Sequence, residues 1–155
     1  MNIIKTMFLT LEEEKSLFEL WNAEYPERIG YKDLTEFQDY LKGLATIKHY
    51  LLIDDLKQIR GWAFTFMREG EVWFGILIDS NIQGKRFGTL LLEELKKYNS
   101  VLNGWAIDHQ NDLKRNAELY LSPLRFYTKH GFRVSENIRL ENDKISAVKI
   151  RWVRA

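Results

Sequence analysis

The sequence predicts a mixed α/β (α+β) fold in which helices flank a mostly antiparallel central sheet, in the order βααβββαβαββ. Three features point to it: two capped helices ahead of three closely spaced strand runs, a third run that is apolar on both faces, and a closing hairpin around a polar turn. The 155 residues are 45% hydrophobic and 14% aromatic. A chain of about 150 residues buries roughly 68–70% of its unfolded surface, enough for a core without staples. No repeat, linker or low-complexity run divides residues 1–155, which read as one domain.

Residues 2–9 read as the first strand. Thr10, with Glu13 three residues on, opens a helix toward Tyr25; Leu17, Leu20, Trp21 and Tyr25 form its stripe, and Pro26 ends it. Asp33 and Glu36 open a second helix, with Phe37, Tyr40, Leu41 and Leu44 at helical spacing. Strands follow at 50–54, 59–67 and 72–79, and the short polar turns between them make neighbours antiparallel. The last of the three, apolar on both faces, belongs at the centre of the sheet.

A helix over 85–98 is expected to bury Phe87, Leu91, Leu95 and Tyr98 and to pair Glu93 with Lys97 in solvent. A strand at 105–108 and a polar stretch come next. Ser122 then caps a helix that has Pro123 at its first position and Gly131 past its end. Residues 132–140 and 145–153 close the chain as a hairpin.

Composition removes several kinds of function. Zero cysteines exclude disulfides, thiolate zinc sites and cysteine nucleophiles, and favour a reducing compartment, the cytoplasm. Residues 1–10 lack the features of a signal peptide, and no run approaches the roughly 18 apolar residues of a membrane span. With 23 basic against 22 acidic residues, the chain lacks the basic excess of a nucleic-acid binder. His49, His109 and His130 lack the paired spacing of a metal site. Trp62, Trp73 and Trp105 on strands read as core, and Lys144, Lys149, Arg151 and Arg154 as solvent-facing strand charges.

The segment Ile76-Leu77-Ile78-Asp79-Ser80-Asn81-Ile82-Gln83-Gly84-Lys85-Arg86-Phe87-Gly88-Thr89 carries chemistry. A buried strand runs into a glycine-containing loop that starts a helix. The first amides of a helix have no internal partners and sit at its positive end, so such a loop can cradle an anion. The phosphate-loop and dinucleotide glycine patterns are both absent.

With Phe126-Tyr127-Thr128-Lys129-His130-Gly131-Phe132 after Ser122-Pro123, and with the element order, this segment makes the chain resemble the GNAT-type N-acetyltransferase superfamily over nearly its whole length. The resemblance implies acetyl-coenzyme A (acetyl-CoA) as co-substrate, held where the central strand splays from its neighbour, and no metal. Its pantetheine arm maps onto Ile76, Leu77 and Ile78, and its pyrophosphate onto Gln83, Gly84, Lys85, Arg86, Phe87, Gly88 and Thr89, with Ser122 and Lys129 alongside. Arg86 stands where the family pattern has its first glycine, and Tyr120 where it often has Asn.

The reaction implied is direct attack of a primary amine on the thioester, with Tyr127 as general acid. Glu71 is the first choice of base, with Asp108 and His109 as alternatives, and the Ile78 amide would meet the oxyanion. Glu24, Glu27, Tyr31 and Asp33 lie where the family builds part of its acceptor site and would suit a cationic amine, while residues 108–122 would roof the pocket. The partner expected is a small-molecule or peptide amine, with a homodimer compatible and neither nucleic acid nor membrane involved. The competing reading is a non-catalytic coenzyme-binding regulatory or protein-interaction module.

Overall fold

The computed structural model describes residues 1–155. Its seven strands are β1 (Asn2–Thr6), β2 (Ala45–Ile53), β3 (Ile59–Arg68), β4 (Glu71–Ile78), β5 (Val101–Ile107), β6 (Arg133–Glu141) and β7 (Ser146–Val153). They form one sheet in the order β1-β2-β3-β4-β5-β7-β6, antiparallel except between β4 and β5. Four helices complete the expected order: α1 (Leu11–Glu24), α2 (Leu34–Lys42), α3 (Phe87–Tyr98) and α4 (Leu124–Lys129). None is long and apolar enough to cross a membrane.

The run that is apolar on both faces becomes β4, the middle strand, because each of its faces has a core to fill. On one face Trp73 and Leu77 join Trp62, Phe64 and Phe66 of β3 under Leu17, Trp21 and Phe37 of α1 and α2. On the other, Phe74, Ile76 and Ile78 pack against Leu91, Leu92 and Leu95 of α3 and Tyr127 of α4. The Thr10–Glu13 capping box forms as expected. At α2 only half of one forms: Asp33 accepts from the Glu36 amide at 2.9 Å, while the Glu36 carboxylate turns to the Lys32 amide at 3.4 Å.

Several local expectations are corrected. β2 begins five residues before residue 50, because Thr46 adopts a φ of 54° and the register shifts between Ala45 and Lys48, which breaks the alternation that marks a strand. On α3, Leu92 is fully buried and Tyr98 is 59% exposed, its ring covered by the Lys5 ammonium at 4.0 Å. Lys97 reaches Glu94 at 2.7 Å rather than Glu93. Ser122 lies one residue outside the capping position of α4, which Pro123 takes, although its hydroxyl still accepts the Leu124 amide.

Candidate active site

Between β4 and β5 the sheet comes apart. Asp79 donates its amide to Arg60 O at 2.9 Å, and counting back by twos along the antiparallel β3–β4 register leaves the peptide groups of Ile76 and Ile78 facing away from β3. They face β5, yet the two strands are laddered only at Trp73 and Asn103. The gap is therefore a V, closed at the start of both strands and open toward Ile78 and Ile107.

Side chains staple the closed end. Asn103, fully buried, donates to Val72 O at 3.2 Å and to the Glu71 carboxylate at 3.3 Å, and Arg151 of β7 reaches the same carboxylate at 2.7 Å. The Arg151 guanidinium holds Glu71 below the usual carboxylate range. Glu71, expected as the base, lines neither cavity described below and is held by Asn103 and Arg151 at the closed end of the V. Asp108 is likewise gripped, by Arg139 at 2.9 and 3.0 Å, which lowers its pKa. His109 turns to Asn111 and Asp112 on the outer surface.

Two cavities meet at the open end. The first, about 420 Å³, is lined by Ile76, Leu77 and Ile78 of β4 and by Gln83, Gly84, Arg86, Phe87, Gly88 and Thr89 of the loop and start of α3. Gln83 pins this loop by donating to Ile78 O at 3.0 Å. Arg86 is the capping residue of α3, offers no side-chain cap, and has a φ of 69°. It therefore occupies the left-handed region, which is the reason a glycine suits that position. The amides of Phe87, Gly88 and Thr89 have no helical partners and open onto this cavity. His130 fixes the Thr89 hydroxyl at 3.2 Å. Lys85 and Lys129 are exposed and lie outside the cavity, and the Ser122 hydroxyl is spent on Ile107 O, so these three do not join it.

The second cavity, about 430 Å³, is walled by Trp21, Tyr25, Tyr40, Phe64, Trp73 and Trp105, among other apolar groups. Gly75 makes the room: a Cβ there would stand 2.6 Å from the Phe64 ring. Arg68 is its one charged lining residue, and no carboxylate lines it. The acidic residues expected to favour a cation are elsewhere. Glu27 and Asp33 line neither cavity, and Glu24, which lines the first, is buried in an ion pair with Lys114 at 3.2 Å and accepts the Ser80 amide at 2.9 Å.

Ile76, Tyr120, Pro123 and Tyr127 border both cavities. Tyr127 is 7% exposed, edge-on to Phe74 at 5.6 Å, and its hydroxyl makes no hydrogen bond within the protein. Burial, with Tyr120 beside it, pushes the Tyr127 phenol up, and burial does the same for Tyr120 and Tyr25. All three stay neutral hydrogen-bond donors at neutral pH. The segment after β5 roofs this junction. Glu27 donates its amide to Leu113 O at 2.9 Å, Arg28 pairs with Asp112 at 2.9 Å, and Tyr120 donates its amide to Asp112 O at 2.9 Å.

Sequence reasoning missed Tyr25, Arg68 and the Glu24–Lys114 pair. The one available signal was the row Trp62, Phe64, Phe66, Arg68, whose period of two places a cation at the end of an aromatic ladder.

No protein-family model matches the sequence, and no curated protein matches it. Solved structures do. An aminoglycoside 6'-N-acetyltransferase complexed with coenzyme A superposes with a TM-score of 0.73 at 15% identity, covering 99% of this chain and 97% of that one. A putative phosphinothricin N-acetyltransferase gives 0.74 at 14%, covering 99% of each. An acyl-CoA N-acyltransferase from Pseudomonas aeruginosa gives 0.71 at 18%, covering 100% of each. At these identities the likeness establishes the fold, which is that of the GNAT-type acetyltransferases.

Proposed function

We propose that the chain is an acetyl-CoA-dependent N-acetyltransferase acting on a primary amine. One observation carries the reading: strand peptide groups without a β5 partner and unpartnered helix amides line one cavity whose inner end is shared, at Tyr127, with a second cavity. Main-chain groups at Ile76 and Ile78 suit an extended amide-bearing arm, and the Phe87, Gly88 and Thr89 amides suit a diphosphate. Acetyl-CoA bound in this way supplies an acyl group activated as a thioester.

The second cavity holds the amine. Its aromatic wall disfavours the ammonium form, so a group with a pKa near 10.4 in water loses its proton more readily on entry. The amine nitrogen then bonds to the thioester carbon, the carbon–sulfur bond breaks, and the amine's second proton leaves. The Ile78 N–H is placed to meet the negative charge that develops on the carbonyl oxygen.

Tyr127 donates to the departing sulfur and regains a proton from water as the thiol leaves. Its raised pKa makes full proton transfer to a free thiolate uphill in water, where a thiol has a pKa of about 8.5. The same apolar surroundings raise the pKa of the sulfur, so the phenol acts on charge as it forms. Glu24 is the one carboxylate that lines either cavity, and it takes the released proton through water.

A thiol-release assay with acetyl-CoA over a panel of primary amines tests the proposal. Saturable thiol release with recovery of the N-acetyl product is expected. Coenzyme binding without release across the panel would favour the regulatory-module reading.

A further inference from the structure

Resting on the acetyltransferase reading, we infer that the acceptor is a small amine with an aromatic or apolar frame and a carboxylate, of amino-acid size, and that Arg68 receives the carboxylate. The cavity that faces Tyr127 from the amine side offers one charged side chain and it is a cation. Arg68 ends the aromatic row along β3: Trp62 and Phe64 stack at 4.4 Å, Phe64 and Phe66 at 6.0 Å, and the guanidinium sits 5.0 Å from the Phe66 centroid and 5.3 Å from that of Trp73. Stacking fixes the plane of the guanidinium and leaves its edge of N–H donors for a ligand. The carboxylate across the hairpin, Glu71, is already taken by Arg151.

The surrounding charge agrees. Lys149 lies over the same Trp73 ring at 5.4 Å, so Arg68, Lys149 and Arg151 stand against Glu71 at this rim. A polycation would enter a positive mouth and find aromatic faces but no carboxylate inside, so most of its charges would be desolvated without an anionic partner. An anionic group finds a planar, bidentate partner. The aromatic walls suit an apolar frame, and about 430 Å³ lies toward the small end of ligand pockets, room for one such unit rather than an oligosaccharide.

Calorimetric titrations of the full chain, free and saturated with coenzyme A, test this with three probes: L-phenylalanine, 2-phenylethylamine, which differs by lacking the carboxylate, and spermidine. Phenylalanine is expected to bind at least about tenfold more tightly than phenylethylamine, or ~1.4 kcal/mol, with spermidine weakest. Arg68→Met should remove that advantage while leaving the Kd of phenylethylamine and coenzyme A within about twofold, and Arg68→Lys should restore part of it. Arg68 is exposed, so neither variant endangers the core. Equal affinity for phenylalanine and phenylethylamine, tighter binding of spermidine, no binding of phenylalanine up to millimolar concentration, or an unchanged preference in Arg68→Met would each overturn the assignment. Failure of coenzyme A to bind would instead overturn the acetyltransferase reading, since the titration of the free chain still reports on Arg68.

Discussion

The two cavities are built from different material. The one at the start of α3 offers main-chain groups, the peptide groups of Ile76 and Ile78 and the amides at Phe87 and Gly88, among apolar side chains, whereas the one under α1 and α2 is walled by aromatic side chains from separate segments. Main-chain recognition survives most changes of side chain and is lost when the backbone shifts or an added group fills the approach. Side-chain recognition is rewritten by single substitutions. One fold can thus keep one cavity while the other drifts, and this chain shares the fold of an aminoglycoside 6'-N-acetyltransferase at 15% identity while its own aromatic cavity holds no carboxylate.

Substitutions that act on one cavity, or on the Glu24–Lys114 ion pair beside the first, sharpen this contrast. The largest effect is expected at that ion pair. Lys114→Met leaves the buried Glu24 carboxylate without its partner and should cost about 3 kcal/mol in urea unfolding, loosening both sites together. Gly88→Asp brings a negative charge to the free amides of α3 and should weaken coenzyme A binding about 30-fold, or ~2 kcal/mol, by calorimetry. Arg68-dependent binding of phenylalanine should be untouched in that variant; loss of both would mean that the cavities are not separable.

Tyr127→Phe touches the shared wall without changing its shape. It should lower kcat about tenfold in steady-state kinetics while the coenzyme Kd stays within about twofold. Unchanged turnover would remove the phenol from the reaction. Arg86→Gly should give the smallest effect, a gain of about 0.5–1 kcal/mol from relief of the left-handed backbone, offset in part by the entropy of glycine. In a chain of this length that reads as about 2–3 °C in a thermal melt.

Legibility in the sequence divides along the same line. The order of elements, the central position of β4 and the loop from Gln83 to Thr89 were readable because apolar periodicity, caps and glycines are local signals. The partner of a charge is not local. Glu71 read as a lone carboxylate at a turn, and only the folded sheet brings Arg151, 80 positions away, and Asn103 onto it. Lys97 had two acidic residues on the same helix within reach, and packing chose Glu94. The aromatic cavity escaped for the same reason: Trp21, Arg68 and Trp105 become neighbours of one space only after α1 lies across the sheet.

The lone rung at Trp73 and Asn103 makes the sheet two half-sheets hinged along one seam, four strands on one side and three on the other. An elongated guest with alternating amide donors and acceptors that settles along Ile76 and Ile78 would act as the missing rungs. Occupancy and cohesion are then one quantity, and amide hydrogens along β4 and β5 should exchange more slowly in the loaded protein than in the free one.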